Sequence, residues 1–303
     1  MKIAITGSTG FVGRHLVSSF EQRAHQVVPV GRHELNQGTE YVASLIAGCD
    51  AVINLAGAPI NKRWTARYKQ EIVSSRLDTT RCLVDAMKLL DKPPATFIST
   101  SAIGAFSPKG QYTEADSPNA SDFLGQLSKD WEASANAAQA LGVRTLIFRF
   151  ALVLGHDGGL LKQMLLPFRL GLGGPVGNGS QHFSWIHIDD LVNAYLLALE
   201  NQQMSGVYHL CAPNPVSNLE FTRTLGEILH RPTLFRVPGL LLEMAFGEGA
   251  EVMTSGQRVI SQRLPEAGFS FRYPELAGAL RAIVQESGAD CATRGILNPG
   301  ARS

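Results

Sequence analysis

Glycines at three-residue intervals, Gly7, Gly10 and Gly13, follow a short apolar run at the start of the chain and precede a helical pattern. The first permits a tight turn out of a strand, the second lets the backbone approach a bound group, and the third lets helix and strand pack closely. Free amides and the helix dipole then favour an anion such as a pyrophosphate. The spacing predicts a dinucleotide-binding loop rather than a plain glycine-rich turn. Its candidate contacts are Gly7, Thr9, Gly10, Phe11, Val12 and Gly13.

The residue that follows the second predicted strand, 26–30, bears on which dinucleotide is bound. A fold selective for NAD commonly places an acidic residue here to bind the ribose 2′-hydroxyl. The chain instead has Gly31 and Arg32, and the planar fork of an arginine suits a 2′-phosphate. The sequence therefore favours NADP(H), with NAD(H) as the alternative. In that alternative, Arg32 is a solvated surface charge and Glu34 binds the ribose.

Apolar runs of strand length alternate with helical patterns along most of the chain. Such alternation predicts parallel strands with crossover helices, and strands that are apolar throughout are typical of a sheet covered on both faces. The predicted fold class is therefore α/β, a doubly wound parallel sheet of the Rossmann type with a smaller C-terminal lobe on the substrate side. The predicted strands are 2–6, 26–30, 51–55, 96–100, 144–150 and 206–211, and the predicted helices are 11–23, 66–89 and 128–141.

The chain divides, by this pattern, into a dinucleotide-binding domain at 1–155, which also takes the strand near 206–211, and a second part. Residues 156–286 are Gly-rich at first and then helical, which suits a substrate-side lobe and C-terminal extension. Residues 287–303 lack periodicity and are expected to form a frayed tail. Candidates for lining a substrate pocket in the lobe are Arg169, Gln181, His182 and Trp185; alternatively, Trp185 is core packing and Arg169 a surface salt bridge.

Composition limits the kinds of partner that the protein is expected to bind. Hydrophobic residues make up 45% of the 303 residues, which excludes disorder for most of the chain, and the net charge of +1 gives no field that recruits nucleic acid or an anionic membrane. The expected partner is a small molecule. The chain begins directly with a strand and has no membrane-spanning apolar run, so a cytoplasmic protein is expected. Without Cys-x-x-Cys spacing, reduced thiols and no metal site are expected at Cys49, Cys82, Cys211 and Cys291.

Further motifs accompany the glycine loop, namely Asn54-Leu55-Ala56-Gly57, Ser99-Thr100-Ser101-Ala102 and His187-Ile188-Asp189-Asp190. Together they resemble the extended short-chain dehydrogenase/reductase group, within the NAD-dependent epimerase/dehydratase superfamily. The segments Ser75-Arg76-Leu77-Asp78-Thr79-Thr80, Asp130-Trp131-Glu132 and 167–175 resemble, more narrowly, the YfcH-type epimerase family proteins.

This resemblance implies a Rossmann fold, a C-terminal extension and additional cofactor contacts. Those contacts, with the small residues that end the third strand, are Arg32, Leu55, Ala56, Gly57, Glu71, Arg76 and Val153. From the residues alone, Glu71 and Arg76 read as ordinary surface charges on a helix. Relatives in the superfamily often dimerise through helices of the sheet layer, so by analogy a homodimer that uses the helix at 66–89 is expected.

The superfamily moves protons with a Ser at a strand end, a Tyr, and a Lys four residues after the Tyr. Ser101 fits the first role; alternatively, it is a plain hydroxyl at a strand end. Lys129 is the candidate lysine; alternatively, it is a solvated residue on a helix. If Lys129 is the family lysine, Gly125 takes the tyrosine position. If Glu132 is the anchor instead, Leu124 takes the tyrosine position and Ser128 the lysine position. No register supplies a phenol.

Two other residues are weaker candidates for the missing proton donor. Tyr112 lies in a loop that swings towards the site in one interpretation and is simply exposed in the other. His187 titrates in the right range, but the matching family segment gives it and Asp189 a structural role, with Asp189 as the helix N-cap. The resulting hypothesis is an NADP(H)-binding oxidoreductase or sugar-epimerase-like enzyme of unknown small-molecule substrate. The alternative is a catalytically silent NADP(H)-binding sensor or scaffold protein.

Overall fold

The computed structural model describes residues 1–296, with side chains as far as residue 287. The strands are β1 Lys2–Thr6, β2 Gln26–Val30, β3 Ala51–Asn54, β4 Thr96–Ala102, β5 Gln111–Tyr112, β6 Arg144–Phe150, β7 Leu152–Leu154, β8 His182–Phe183, β9 Trp185–His187, β10 Gly206–Leu210, β11 Val216–Ser217 and β12 Arg258–Val259. The α-helices are α1 Phe11–Gln22, α2 Arg32–Asn36, α3 Thr39–Ile46, α4 Ala66–Lys88, α5 Phe123–Asn136, α6 Gly159–Arg169, α7 Ile188–Glu200, α8 Asn218–Leu229, α9 Gly239–Phe246, α10 Glu251–Thr254, α11 Arg263–Glu266 and α12 Leu276–Ile296. Single 3₁₀ turns occupy Ile103–Ala105, Ala137–Leu141 and Gly247–Ala250.

Six parallel strands form the central sheet in the order β10-β6-β4-β3-β1-β2. The chain moves outward from β1 to β2, returns to the other side of β1 for β3, and continues through β4 and β6 to β10. The order therefore reverses between β1 and β3, where ligands of such sheets bind outside the carboxyl ends of the strands. This arrangement confirms the predicted doubly wound parallel sheet of the Rossmann type.

Helices cover both faces of this sheet, which explains why its strands are apolar throughout. Ile3 and Ile5 face the layer of α1 and α7, whereas Ala4, between them, faces the layer of α3, α4 and α5. Helix α7 closes against α1 through buried Leu191 and Tyr195. It therefore belongs to the sheet layer, although it falls within the part of the sequence expected to form the second lobe.

The second lobe has a core of its own, built by α6, α8 and α12 around Phe168, Phe221 and Leu280. The segment that links α8 to α12 returns to the sheet domain: Trp64 donates its backbone N–H to the carbonyl of Phe246 at 3.3 Å, and β12 pairs in parallel with β5. Residues 239–259 thus bridge the lobe and the loops at the carboxyl edge of the sheet.

One predicted helix boundary is wrong. Helix α5 begins at Phe123 rather than at 128, because the carboxylate of Asp122 caps it by accepting the Gly125 N–H at 2.7 Å. Helix α12, anchored by its buried Leu280 and Ile283, runs as far as Ile296, into the part of the chain expected to form a frayed tail. Residues 297–303 lie outside the described part of the chain.

Cys49, Cys82 and Cys211 are free thiols, and burial raises the pKa of each. Cys291 lies beyond the described side chains. Within the described residues, no helix is both long and apolar enough to span a bilayer, and no three His, Cys, Asp or Glu side chains converge as metal ligands do.

Candidate functional site

The glycine loop has the geometry that its spacing predicts. Gly7 has φ +67°, in the left-handed region that favours glycine, and a Cβ on it would lie 2.9 Å from the carbonyl oxygen of Leu55. A Cβ on Gly13 would lie 2.1 Å from the carbonyl oxygen of Gly7, so α1 packs too closely on the turn for any side chain. No described side chain caps α1 at Gly10. Its first amides therefore point free into the carboxyl edge of the sheet.

A buried hydrogen-bond network holds the end of β3 beside this loop. The Thr6 hydroxyl donates to Asn54 Oδ1 at 2.7 Å and accepts the backbone N–H groups of Leu55 and Ala56 at 3.1 and 3.2 Å. Asn54 Nδ2 in turn donates to the hydroxyl of Thr80, at 2.8 Å. Sequence reasoning found the Asn54-Leu55-Ala56-Gly57 motif but missed Thr6 and Thr80, which fix its backbone.

Arg32 lies exposed at the start of α2, with no ion-pair partner among the described residues. Glu34, the alternative ribose ligand, is engaged locally: its carboxylate accepts the Gly31 N–H at 2.8 Å. Burial raises the pKa of Tyr68 on α4, and the positive charges of Arg76 and Arg32 partly oppose this rise.

Arg76, on α4, is a half-buried cation without a carboxylate partner among the described residues. Its guanidinium lies over the ring of Trp131, 5.2 Å from the centroid, and donates to the carbonyl of Ile72 at 3.1 Å. A Cβ on Gly57 would lie 3.0 Å from its Cζ, so the glycine makes room for it. Burial lowers the pKa of Arg76 to about 10. Such a desolvated cation favours an anionic ligand, and its position argues against the surface-charge interpretation.

Glu71 and Val153 complete the predicted cofactor set. Glu71 is exposed on the same helix as Arg76. Val153, in β7, and Phe11 both pack against the same hydrophobic cluster of the sheet. A Cβ on Gly158 would lie 2.2 Å from Phe11 Cγ, so the turn after β7 lies directly over the glycine loop. The structure thus brings Val153 and the glycine loop together on one side of the cleft.

Ser101 lies at the end of β4, in a buried polar cluster. Its hydroxyl donates to Glu132 Oε1 at 2.7 Å, and Arg149 donates from Nε and Nη2 to the two carboxylate oxygens, each at 2.7 Å. Glu132 and Arg149 are 8% and 3% exposed, so this is a buried bidentate ion pair. His209 extends the cluster, with Nε2 3.4 Å from Arg149 Nη1, and burial lowers its pKa.

One side of α5 meets this polar cluster. Glu132 and Ser128 are both buried and lie four residues apart, one turn of helix, and Leu124 lies one turn further towards the N-terminus. Lys129 points elsewhere and donates its ammonium to the carbonyl of Ala120 at 2.7 Å. Leu124, Ser128 and Glu132 therefore lie along one side of α5, whereas the ammonium of Lys129 is held at the Ala120 carbonyl.

Tyr112 is neither an exposed loop residue nor a phenol without hydrogen-bond partners. Its ring stacks on Phe106 at 4.6 Å and is buried. Its hydroxyl contacts Ser107 Oγ at 2.7 Å and Asn119 Nδ2 at 3.1 Å, and it also donates to the carbonyl of Lys109. Pairing of β5 with β12, which the sequence does not reveal, holds this tyrosine in place.

His187 is fully buried and caps α7 in place of Asp189. Its Nδ1 accepts the Asp189 N–H at 3.1 Å, and the ring lies against that of Tyr273 with centroids 4.0 Å apart. Burial lowers the pKa of His187 to about 4. The N-cap prediction for Asp189 is wrong because the helix begins at Ile188, two residues earlier than an Asp189 cap requires, so that Asp189 falls within the first turn.

The pocket candidates of the second lobe do not converge. Trp185 is fully buried and donates its indole N–H to the Asn214 carbonyl, which makes it core packing. Arg169 donates to Ser287 Oγ at 2.6 Å rather than to an acidic partner. Gln181 spans the carbonyls of Val176 and Met253, and half-buried His182 has a pKa that burial lowers.

A nucleotide-binding cleft on a six-stranded parallel sheet, with a strand-end serine, defines the class of protein. Residues 3–211 match the profile of the NAD dependent epimerase/dehydratase family, and residues 237–283 match a domain of unknown function, DUF1731. The chain therefore belongs to the NAD dependent epimerase/dehydratase family.

Several relatives match nearly the whole chain. The epimerase family protein SDR39U1 of Homo sapiens is 38% identical over 94% of this chain and 100% of its own length. The chloroplastic SDR39U1 homolog of Arabidopsis thaliana is 38% identical over 94% of this chain and 87% of its length. The crystal structure of human SDR39U1 (isoform2) with NADPH matches with a TM-score of 0.84 at 33% identity, covering 94% of this chain and 99% of that one.

Proposed function

We propose that the protein binds NADP(H) at the carboxyl edge of its sheet and acts as an oxidoreductase or epimerase-like enzyme on a small carbonyl or alcohol. The observation that carries this proposal is the fixed position of Ser101, at the carboxyl end of β4 on the same sheet edge as the glycine loop and held by a buried carboxylate. The human relative is described with NADPH, which supports the same cofactor here.

The residues at this edge fit a dinucleotide. Gly7 and Gly13 leave a cradle that side chains would fill, and the uncapped start of α1 offers amides to a pyrophosphate. Arg32 and Arg76 supply the cations that a 2′-phosphate needs, while Glu34 is already used by its own helix. When bound, the cofactor would supply or take up a hydride at its nicotinamide ring.

Ser101 would orient the substrate oxygen by accepting a hydrogen bond rather than by donating one. Its own proton is committed to Glu132, so its free lone pairs suit a substrate hydroxyl. Glu132, one hydrogen bond further on, is the group that would receive the proton. Because no positioned tyrosine acts as acid or base here, turnover is expected to fall below that of a tyrosine-dependent relative by about 10²- to 10⁴-fold.

A second candidate function is that of a catalytically silent NADP(H) sensor or scaffold. The register anchored on Glu132 favours it, because Leu124 and Ser128 would then take the tyrosine and lysine positions and neither side chain supplies an acid or a base. Tyr112 and His187 do not replace them, since the first is fully engaged in hydrogen bonds and the second is buried as a helix cap.

A single-turnover screen separates the two functions. The protein, loaded with NADP⁺, is mixed with a panel of small alcohols, and gain of nicotinamide fluorescence is followed for the wild type, Ser101→Ala and the control Ser134→Ala. The enzyme hypothesis predicts reduction of NADP⁺ by the wild type and by Ser134→Ala, and its loss in Ser101→Ala with NADPH affinity unchanged. Tight NADPH binding without turnover of any compound supports the sensor instead.

A further inference from the structure

Five large apolar side chains stand exposed on two segments of the second lobe. The first segment is the last turn of α6 with the loop after it, and the second is the loop before α9. Each side chain is 63 to 81% exposed. They are Leu166, Leu170, Leu172, Leu234 and Phe235, named here the apolar tip. Single exposed leucines are ordinary, whereas a group of this size marks a surface that binds a partner.

The two segments lie side by side, so the tip forms one surface. Arg231 donates from Nε to the carbonyl of Arg169 at 2.8 Å, just before the apolar stretch of each loop. After those stretches, Val176 and Val237 form a parallel bridge. The apolar residues of the two loops are therefore held next to each other between two points of contact, and Leu166 lies one turn of helix before the first loop.

A groove of about 490 Å³ opens beside the tip. Arg223 on α8 lines it together with Arg231 and Thr233, and the chain continues from Thr233 directly into the tip at Leu234. Within the described part of the chain, Arg223 has no hydrogen-bond or ion-pair partner. Arg231 donates Nε and Nη1 to backbone carbonyls and keeps Nη2 available. Although Glu227 also lines the groove, two guanidinium groups are offered to an anion there.

The charges on this part of the lobe are mostly positive. Two exposed carboxylates, Glu227 and Glu243, stand against five exposed arginines, none of which is paired with a carboxylate among the described residues. The arginines are Arg169, Arg223, Arg231, Arg236 and Arg281. The net charge of +1 describes the field of the whole molecule and does not reveal this local excess.

Helix α9 extends the apolar surface beyond the tip. None of its residues is buried, and Leu240, Leu241 and Met244 are 56 to 66% exposed. A helix that is apolar on every side is normally covered. The tip and α9 together present on the order of 1,000 Å² of apolar surface, against roughly 300–600 Å² for the largest patch of a typical monomer.

An anionic membrane surface matches both features. Leucine and phenylalanine beside arginines are typical of segments that lie in the membrane interface, where the apolar side chains enter the acyl boundary and the cations meet the phosphates. The groove places an anion site directly beside the apolar tip, and a phospholipid joins these two chemistries in one molecule. We propose that the protein binds anionic phospholipid membranes through the apolar tip, with a lipid phosphate held in the groove by Arg223 and Arg231.

Co-sedimentation of the full chain with vesicles tests the proposal, and the test does not depend on the proposed cofactor or reaction. The wild type is predicted to pellet with vesicles of phosphatidylcholine and phosphatidylglycerol and to stay in the supernatant with phosphatidylcholine alone. Leu234→Asp/Phe235→Asp is predicted to weaken binding to the mixed vesicles at least about 10-fold. Arg223→Gln, which removes one cation near the phosphates, is predicted to weaken it about 5-fold.

Each change has a matched control at an exposed residue of the sheet domain. Leu89→Asp, just after α4, and Arg23→Gln, just after α1, are predicted to bind the mixed vesicles as the wild type does. All of these positions are exposed, so the variants are expected to fold, and equal midpoints of urea unfolding check this.

Four results overturn the proposal. The first is a wild type that stays in the supernatant with the mixed vesicles, and the second is pelleting that Leu234→Asp/Phe235→Asp leaves unchanged. Equal binding to neutral and anionic vesicles contradicts the phosphate site of Arg223 and Arg231. Calorimetric binding of glycerol phosphate without any binding of vesicles assigns the groove to a soluble anion. Tip-dependent binding of an acidic protein in place of vesicles assigns the surface to a protein partner instead.

Discussion

Removing the charge of Glu132 is expected to destabilise the fold more than any surface change. The carboxylate accepts three hydrogen bonds of 2.7 Å, one from Ser101 and two from Arg149, and lies almost fully buried. In Glu132→Gln the guanidinium of Arg149 stays buried without a counter-charge. Breaking such a pair costs about 3–5 kcal/mol, a large share of the roughly 5–15 kcal/mol that stabilises a domain.

Urea unfolding followed by circular dichroism measures this loss, and the corresponding fall in Tm is roughly 6–20 °C. Replacing both members, as in Glu132→Leu/Arg149→Met, is predicted to be less destabilising than Glu132→Gln, because no unpaired charge remains. Asp85→Asn, which breaks an exposed pair with Lys88, serves as control and is expected to cost under about 1 kcal/mol. A Glu132→Gln variant that loses less than about 1 kcal/mol refutes the reasoning.

Three further predictions concern the cofactor cleft and acid stability. Gly13→Ala places a Cβ 2.1 Å from the Gly7 carbonyl oxygen, and titration is expected to show NADPH binding weakened at least about 10-fold. The control Gly278→Ala adds a Cβ in open space and is expected to leave NADPH binding unchanged. Arg76→Met is expected to weaken NADPH more than NADH, by about 10-fold, since it removes a cation beside the proposed phosphate; equal losses contradict this. Burial lowers the pKa of His187 from 6.5 to about 4, so the unfolded chain takes up the proton first and stability falls as the pH falls from 6.5 towards 4. His187 contributes at most about 3 kcal/mol to this pH dependence. The free energy of unfolding in urea, measured at pH 7 and at pH 4.5, is therefore expected to differ less in His187→Asn than in the wild type. The asparagine side chain still caps the helix.

The glycine loop was predictable because its geometry is local. The positive φ at Gly7 and the close packing of Gly13 on Gly7 and Ser8 are set within a few residues, although the contact of Gly7 with Leu55 is long-range. The parallel sheet was predictable for a similar reason, since continuous apolar runs separated by helices admit few topologies.

The polar clusters were not predictable, because they join elements that are far apart in the chain. Arg149 meets Glu132 only when β6 and α5 pack together, and Trp131 receives Arg76 only when α5 lies beside α4. Periodicity gives no signal for such pairs. The start of α5, by contrast, has a signal in the sequence. Asp122 is of a residue type that commonly caps helices, and it marks the observed boundary.

The central claim is that the carboxyl edge of the sheet binds NADP(H), with the 2′-phosphate recognised by Arg32 and Arg76. Parallel titration of the purified protein with NADPH and NADH, followed by nicotinamide fluorescence, tests it most directly. A charge-assisted contact to the phosphate contributes about 1.5–3 kcal/mol, which predicts that NADPH binds roughly 10- to 150-fold more tightly than NADH. Equal affinity for the two would contradict the role of the arginines, and binding of neither would contradict the cofactor site itself.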